Sequence, residues 1–144
     1  MLSNTSKYAL RALIYLALQG DNSTKIGIKQ ISKELAIPMP FLGKIMQTLA
    51  KQKLLDSTKG PHGGFSLIKK PEDISLMEIV EIIDGSDTFS VCILGNEKCT
   101  LDANHCSVHQ NYAEIRENLK NLFLTENLGE IASRFKDKSL GIVL

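Results

Sequence analysis

The sequence predicts a mostly α-helical protein with one small β-hairpin and a long helix towards its C-terminus. Apolar residues recur at helical spacing in six segments, and two short runs flank a glycine-rich stretch. All four prolines lie between residues 38 and 71, where they mark turns. The 144 residues, 43% hydrophobic and 23% charged, have the composition of an ordinary globular domain with room for an appendage.

The first two helices differ in how much of their surface is apolar. Apolar residues surround almost the whole of the first helix, over about residues 3–19, so we expect it to be buried on most sides. Ile28, Ile31 and Leu35 follow at spacings i, i+3 and i+7. This single apolar stripe predicts a short amphipathic second helix.

Two prolines separate the second helix from a third helix with two distinct faces. Pro38 and Pro40 drive the preceding residues out of the helical region, so the second helix ends by about Ile37. Pro40 suits the first position of the third helix, which runs to about Gln52. The face predicted to be buried consists of Phe41, Leu42, Ile45, Met46 and Leu49. The opposite face carries Lys44, Gln47, Thr48 and Lys51.

A β-hairpin follows the third helix. Leu54–Thr58 and Phe65–Ile68 are predicted to be strands around a glycine-rich loop, residues 59–64, called the wing loop here. Its three glycines permit backbone angles that other residues resist. A fourth short helix then ends at Gly85, and the segment 86–106 lacks sustained periodicity, which predicts an ordered functional loop.

The last long helix begins near Ser107, and a short helix follows over Leu128–Phe135. Apolar residues of the long helix recur at spacings of 3, 4 and 3: Tyr112, Ile115, Leu119 and Leu122. Such a pattern occurs both in core packing and at a seam between two helices. We favour a seam between two copies of the chain, because the pattern follows the globular core.

Charge is unevenly distributed along the chain. The 17 Lys and Arg residues nearly balance the 16 Asp and Glu residues, and the net charge of +1 alone favours no polyanionic partner. Residues 25–70, however, contain nine lysines against only Glu34 and Asp56, a local charge of +7. The longest apolar run, Ala12–Leu18, is far shorter than the roughly 20 residues of a membrane span, so no membrane partner is expected.

The order of helix, turn, helix and glycine-looped hairpin is that of a winged helix-turn-helix domain, whose second motif helix enters the DNA major groove. The residues predicted to contact DNA are Met39, Lys44, Gln47, Thr48 and Lys51 on the helix and Lys59, Gly60, Pro61, His62 and Gly63 in the wing loop. The alternative, a solvated lysine surface, leaves the concentration of lysines on these elements unexplained. A nucleotide phosphate loop is excluded, since no Gly-Lys-Ser/Thr follows the glycines.

Three cysteines follow the predicted DNA-binding elements. Cys92, Cys99 and Cys106 are spaced C-x6-C-x6-C, and His109 follows the last of them. Thiolates with an imidazole suit zinc or an iron–sulfur cluster, and the long gaps favour a cluster. His109 is the predicted fourth ligand, with His105 as the competing imidazole. No third residue is placed to orient a Cys–His pair, so we predict no enzymatic activity.

These observations divide the chain into three blocks. Residues 1–85 form a winged helix-turn-helix DNA-binding domain, 86–106 a cysteine-bearing cluster loop, and 107–144 a dimerisation helix with a C-terminal tail. An odd number of cysteines cannot be fully paired within the chain, and free thiols with metal-ligand spacing are typical of the cytoplasm, where we expect the protein to act.

Three motifs resemble the Rrf-two family of bacterial winged-helix transcription regulators, which includes iron–sulfur and nitric-oxide sensors. They are Tyr8-Ala9-Leu10-Arg11-Ala12-Leu13, Gly60-Pro61-His62-Gly63-Gly64-Phe65, and three close cysteines after Asp84-Gly85. The resemblance covers about residues 1–135. It implies a homodimer through the long C-terminal helix, a palindromic double-stranded DNA operator, and a cluster on the three cysteines, [2Fe–2S] preferred over [4Fe–4S].

The sequence departs from the family pattern at several positions. Pro38 and Pro40 stand where relatives often have small polar residues, and Gly43 stands where some have a longer side chain. Lys59 replaces the wing arginine of many relatives. Lys7 occupies the place from which a partner's carboxylate ligates the cluster in other members, which favours His109 as fourth ligand.

The sequence therefore predicts a homodimeric DNA-binding repressor whose operator affinity is controlled by an iron–sulfur cluster that senses redox state, nitric oxide or iron. One alternative is a metal-free thiol-redox switch on the same scaffold. Another is a small iron–sulfur electron-transfer protein, which leaves the local charge of +7 and the wing loop unexplained.

Overall fold

The computed structural model describes residues 2–20, 22–95, 98 and 108–137. These ranges contain six α-helices, one 3₁₀ turn and a two-stranded antiparallel sheet. The elements are α1 (Asn4–Leu18), α2 (Ile28–Leu35), α3 (Met39–Lys51), β1 (Leu55–Thr58), β2 (Gly64–Leu67), a 3₁₀ turn (Pro71–Asp73), α4 (Leu76–Asp84), α5 (His109–Thr125) and α6 (Leu128–Asp137). Each predicted element is present, with its ends moved by at most two residues. No helix in these ranges is long and apolar enough to cross a bilayer.

Helix α1 lies at the centre of the main hydrophobic core. It packs against α3, α4 and α6, and Ala9, Ala12 and Leu13 are fully buried. Ser3 caps its start by accepting a hydrogen bond from the Ser6 N–H, which would otherwise lack a helical partner. Burial on several sides agrees with the apolar residues that surround this helix in the sequence.

A left-handed residue makes the turn between α2 and α3. Ala36 has φ of 51° and closes α2, and the Ile37 N–H returns to the Ser32 carbonyl at 3.1 Å. Arg11 of α1 also donates from Nη2 to the Leu35 carbonyl at 2.8 Å. This satisfies a carbonyl that a helix end leaves unpaired, and it gives the arginine of the first family motif a structural role.

The hairpin is joined to the helices by backbone hydrogen bonds. Ile26, just before α2, forms a bridge with Phe65 of β2, with both N···O distances at 2.9 Å. The Ile26 carbonyl passes so close to Gly64 that a Cβ there would lie 2.4 Å from it, and Gly64 has φ of +149°. Only glycine fits this crossing without displacement of the backbone, so the hairpin is held in one position relative to α2.

Helix α6 returns to the main core. Leu128 and Ala132 are buried against it, and short backbone bridges connect the segments before α4 and α6. In these bridges the Leu76 N–H donates to the Glu126 carbonyl and the Leu128 N–H to the Ile74 carbonyl, both at 3.0 Å. The chain after α5 therefore packs with the N-terminal helices.

Helix α5 is attached mainly through a second, smaller cluster. This cluster consists of Met77 and Val80 of α4, Phe89 of the segment that follows α4, and Phe123 of α5. The rings of Phe89 and Phe123 have their centroids 5.1 Å apart and are tilted by 51°, an arrangement that aromatic pairs favour. Phe89 lies three residues before Cys92, so this contact connects the start of the cysteine segment to α5.

Asp84 connects the end of α4 to the start of α1. The Ser3 N–H donates to Asp84 Oδ2 at 3.0 Å, and the Ser3 hydroxyl donates to Oδ1. Partial burial would raise the pKa of Asp84, but the hydrogen bonds from Ser3 outweigh this and hold the pKa below its ordinary value. A carboxyl whose pKa is lowered in the folded state stabilises the fold above its unfolded pKa, and that contribution is lost as the pH falls through the folded pKa.

We expect Asp84→Asn to lower the free energy of unfolding at pH 7 by about 0.5–1 kcal/mol. The effect is small because solvent screens the hydrogen bonds of this partly exposed carboxyl. The difference from the wild type should shrink as the pH falls below about 4. Urea unfolding at pH 7 and at pH 3.5 measures it. The control is Glu81→Gln, an exposed carboxyl on the same helix. A difference that is equal at both pH values contradicts the assigned role of Asp84.

Candidate nucleic-acid interface

One side of α3 is buried and the other is open to solvent. Leu42, Ile45, Met46 and Leu49 form the buried side. The exposed residues Lys44, Gln47, Thr48 and Lys51, called the outer face of α3, are those predicted from the sequence. The Thr48 hydroxyl donates to the Lys44 carbonyl at 2.9 Å, so its oxygen is left as an acceptor. The remaining outer-face side chains carry the donors.

Phe41 is not buried, contrary to the sequence-based prediction. Its side chain is 62% exposed, whereas Leu42 beside it is fully buried. Phe41 precedes Lys44, Thr48 and Lys51 by three, seven and ten residues, so it lies on the border of the outer face. This spacing indicates an exposed position, whereas the apolar character of the residue indicates a buried one. Met39, predicted to contact DNA, is also exposed, at 42%.

Gly43 lies beside Ile28 of α2. A Cβ at this position would lie 3.5 Å from Ile28 Cδ1, which is ordinary van der Waals contact. The residue is half-buried between the two helices. A side chain added at Gly43 would therefore begin in contact with Ile28 of α2.

The wing loop projects from the hairpin, and Lys59, Gly60, Pro61 and His62 are exposed. A turn closes it, with the Gly63 N–H donating to the Gly60 carbonyl at 3.0 Å. Gly63 is half-buried, and a Cβ there would lie 2.1 Å from the Thr58 carbonyl oxygen. The glycines therefore fix a compact loop, and Lys59 and His62 are its exposed side chains with hydrogen-bonding groups.

The lysines near the DNA-binding elements predicted from the sequence differ in whether they form ion pairs. Lys25 pairs with Asp56, and Lys69 Nζ lies 2.5 Å from Glu78 Oε1. The hydrogen bond from Lys25 holds the pKa of Asp56 below its ordinary value. Among the described residues, no ion pair includes a lysine of the outer face of α3 or of the wing loop. The positive charge of these elements is therefore exposed, and a polyanion such as DNA would be attracted to it.

The cysteine segment is described in part. Cys92 is half-buried and free, and its carbonyl accepts a hydrogen bond from the Gly95 N–H at 3.4 Å. An antiparallel backbone bridge joins Val91 and Lys98, which lie on either side of this turn in the sequence. Lys98 Nζ also lies 2.9 Å from Asp87 Oδ2. Two predicted ligands, Cys99 and Cys106, lie outside the described residues.

His109, the predicted fourth ligand, is the first residue of α5 and is half-buried. Within the described ranges, no three His, Cys, Asp or Glu side chains come together as a metal site. The competing imidazole, His105, lies outside these ranges. Lys7, at the position of the alternative ligand, is exposed on α1.

The predicted seam residues of α5 lie mostly in solvent. Ile115 is 63% exposed, Leu122 48% and Leu119 39%. Tyr112 is half-buried, and the Arg116 guanidinium lies over its ring, 6.0 Å from the centroid. None of these four residues belongs to a hydrophobic cluster formed by the described part of the chain, and Phe123 is the buried residue of this helix.

Comparison with known proteins identifies the family. The profile of the Rrf2 family, described as iron-dependent transcriptional regulators, matches residues 2–134. An HTH-type transcriptional regulator of Aquifex aeolicus is 40% identical over 124 residues, which is 85% of each chain.

Two solved structures share the fold. CymR, the global cysteine regulator of B. subtilis, has a TM-score of 0.77 at 21% identity, over 93% of this chain and 97% of its own. IscR of T. potens has a TM-score of 0.75 at 18% identity, over 99% and 93%. The family and its relatives are transcriptional regulators and not enzymes. The chain belongs to the Rrf2 (Rrf-two) family of transcriptional regulators.

Proposed function

We propose that this chain is a homodimeric repressor that binds a palindromic DNA operator in the cytoplasm, and that an iron–sulfur cluster controls its operator affinity. The outer face of α3 is the observation that carries the DNA-binding part: one buried side fixes the helix, and Lys44, Gln47 and Lys51 are exposed on the other. Residues 1–85 form the DNA-binding domain, 86–106 the cluster loop, and 107–144 the dimerisation helix and tail.

The charges and shapes of these elements support contacts to both the bases and the backbone. Lysine and glutamine side chains donate hydrogen bonds to phosphates and base edges in the major groove. Lys59 and His62, exposed in the wing loop, would lie against the sugar–phosphate backbone or the minor groove. Met39, Thr48, Gly60, Pro61 and Gly63 complete the proposed DNA surface.

Lys44→Ala and Lys51→Ala should each weaken binding to DNA of every sequence. Each lost phosphate contact should reduce the slope of log affinity against log salt by about 1, because fewer counterions are released. Fluorescence anisotropy measures this on a duplex selected from a random-sequence pool and on an unrelated duplex, between 50 and 200 mM salt. The control is Lys136→Ala, an exposed lysine on α6. An unchanged slope in both α3 variants contradicts the assignment.

The donor set fits an iron–sulfur cluster. Cys92, Cys99, Cys106 and His109 offer three thiolates and one imidazole, the soft ligands that hold such clusters. Cys92 and His109 are both half-buried, so a group held by either side chain would be partly shielded from solvent. When bound, the cluster supplies a centre that changes with redox state, nitric oxide or iron supply. We propose [2Fe–2S] ahead of [4Fe–4S].

Cys92→Ser should remove most of the iron from anaerobically isolated protein, because a ligand thiolate is lost. Absorption between 300 and 600 nm, with iron and sulfide assays, measures this, and Ser90→Ala in the same segment is the control. Iron content that is equal in the two variants contradicts Cys92 as a ligand. Colourless wild-type protein with reversible disulfides would instead support the thiol-redox switch.

The proposed route from cluster to DNA runs through the second hydrophobic cluster. Phe89, close to Cys92, packs on Phe123 of α5 and on Met77 and Val80 of α4. A change in the cluster loop would act on the contact between the DNA-binding domain and the dimerisation helix. Such coupling requires two arrangements of this contact that the cluster favours differently.

The exposed apolar row of α5 supports a second copy of this chain as its partner. Ile115, Leu119 and Leu122 recur at spacings of 4 and 3, and all are exposed. Dimerisation would bury them in a helix–helix seam. Two DNA-binding domains related by a two-fold axis would then match a palindromic operator.

Leu119→Asp should convert the dimer into a monomer, because it places a charge in the seam without a partner. Light scattering coupled to size exclusion should give twice the chain mass of 15.9 kDa for the wild type and 15.9 kDa for the variant. Leu124→Asp is the control, since Leu124 is 51% exposed on α5 but lies off the apolar row. Wild-type protein at the mass of one chain, or dissociation by the control alone, contradicts the seam.

A further inference from the structure

The N-terminal end of α3 exposes only apolar side chains. Among its first five residues, Leu42 is buried and Gly43 lies beside α2. The exposed ones are Met39, Pro40 and Phe41. The first side chain of the helix that can donate a hydrogen bond is Lys44. A recognition helix contacts base edges mainly with its N-terminal residues, so the first turn of this one cannot recognise bases through side-chain hydrogen bonds.

The major groove presents one apolar feature on the base edges, the 5-methyl group of thymine. The remaining groups there are hydrogen-bond donors and acceptors, and a phenylalanine side chain is a suitable contact for the methyl group. Phe41 is the largest exposed side chain of the first turn, and 62% of its surface remains in solvent in the free protein. Contact with a methyl group would bury part of this surface.

The surroundings of Phe41 also suit a nucleotide. The residue lines a cavity of about 360 Å³ between α3 and the N-terminal end of α1. Its apolar wall is completed by Tyr8, Pro38 and Ile45. Its polar lining residues are Asn4, Thr5, Lys44 and Thr48. An apolar wall beside amide, hydroxyl and ammonium groups is complementary to a methylated base edge and its neighbouring phosphate.

We propose that Phe41 contacts a thymine 5-methyl group in each half of the operator and selects thymine at that position. This inference rests on the proposed function, since it requires that α3 enters the major groove. It assigns part of the sequence specificity to a residue whose apolar character alone predicts a place in the core. Lys44 and Lys51 then supply affinity that depends less on sequence.

Replacement of thymine by deoxyuridine removes the methyl group alone and tests this contact. The operator is selected from a random-sequence pool with the wild-type protein, and each thymine is then replaced in turn. Anisotropy titrations at one salt concentration should show an affinity about fourfold lower at one thymine in each half-site, the effect expected for one buried methyl group.

Phe41→Ala should bind the thymine duplex more weakly and show no response to deoxyuridine at that thymine. Phe41→Leu, which keeps an apolar side chain, should retain part of the response. The control is Ile68→Ala, since Ile68 is 54% exposed but follows the strand end opposite the wing loop. Circular dichroism of each variant checks that it is folded.

A wild-type protein indifferent to every deoxyuridine substitution overturns the proposal. So does a Phe41→Ala variant that keeps the full wild-type response. In both cases salt-dependent DNA binding would persist, and the proposed function would stand. Wild-type protein that binds no DNA at any salt concentration overturns the proposed function, and the role of Phe41 falls with it.

Discussion

The burial of one side of α3 determines the geometry on which the proposed DNA-binding surface depends. Leu42, Ile45, Met46 and Leu49 are each at most 4% exposed, and they insert into the core built around α1. Removal of a buried side chain of this size costs about 2–5 kcal/mol, so the helix cannot rotate to bury another face. The orientation of Lys44, Gln47 and Lys51 follows from this packing. The core therefore sets the direction in which these three side chains leave the helix.

Backbone contacts fix the position of the hairpin in the same way that side-chain packing fixes the orientation of α3. The bridge between Ile26 and Phe65, together with the close approach of the Ile26 carbonyl to Gly64, fixes the wing relative to α2. The hairpin that carries the wing loop is thus attached by its backbone to the segment that leads into α2 and α3. The net charge of +1 conceals the basic side chains of α3 and of the wing loop, because acidic residues elsewhere in the chain balance them.

Much of the fold could be predicted from the sequence because its signals are local. Prolines and glycines mark the turns, and apolar spacing marks each helix. The predicted ends of the elements therefore lie within two residues of the observed ends. The apolar character of Phe41 wrongly predicts burial, because a residue at the border of a helical stripe can be either buried or exposed. The packing of α3 on α1, which buries Leu42, decides that Phe41 is exposed. The interactions of Arg11 and Asp84 join residues distant in sequence, and no spacing indicates them.

The candidate cysteine site was predictable in composition but not in arrangement. The spacing of Cys92, Cys99 and Cys106 indicates soft ligands, whereas the contact of Phe89 with Phe123, which connects this segment to α5, depends on the tertiary fold. We propose that a cluster on these ligands alters the affinity for DNA. The most direct test of this proposal is the dissociation constant for one selected operator duplex, measured anaerobically at one salt concentration. The two samples are cluster-loaded protein and the same preparation after removal of the cluster. Coupling predicts dissociation constants that differ by about fivefold or more. Equal dissociation constants, with both samples folded and dimeric, would contradict it.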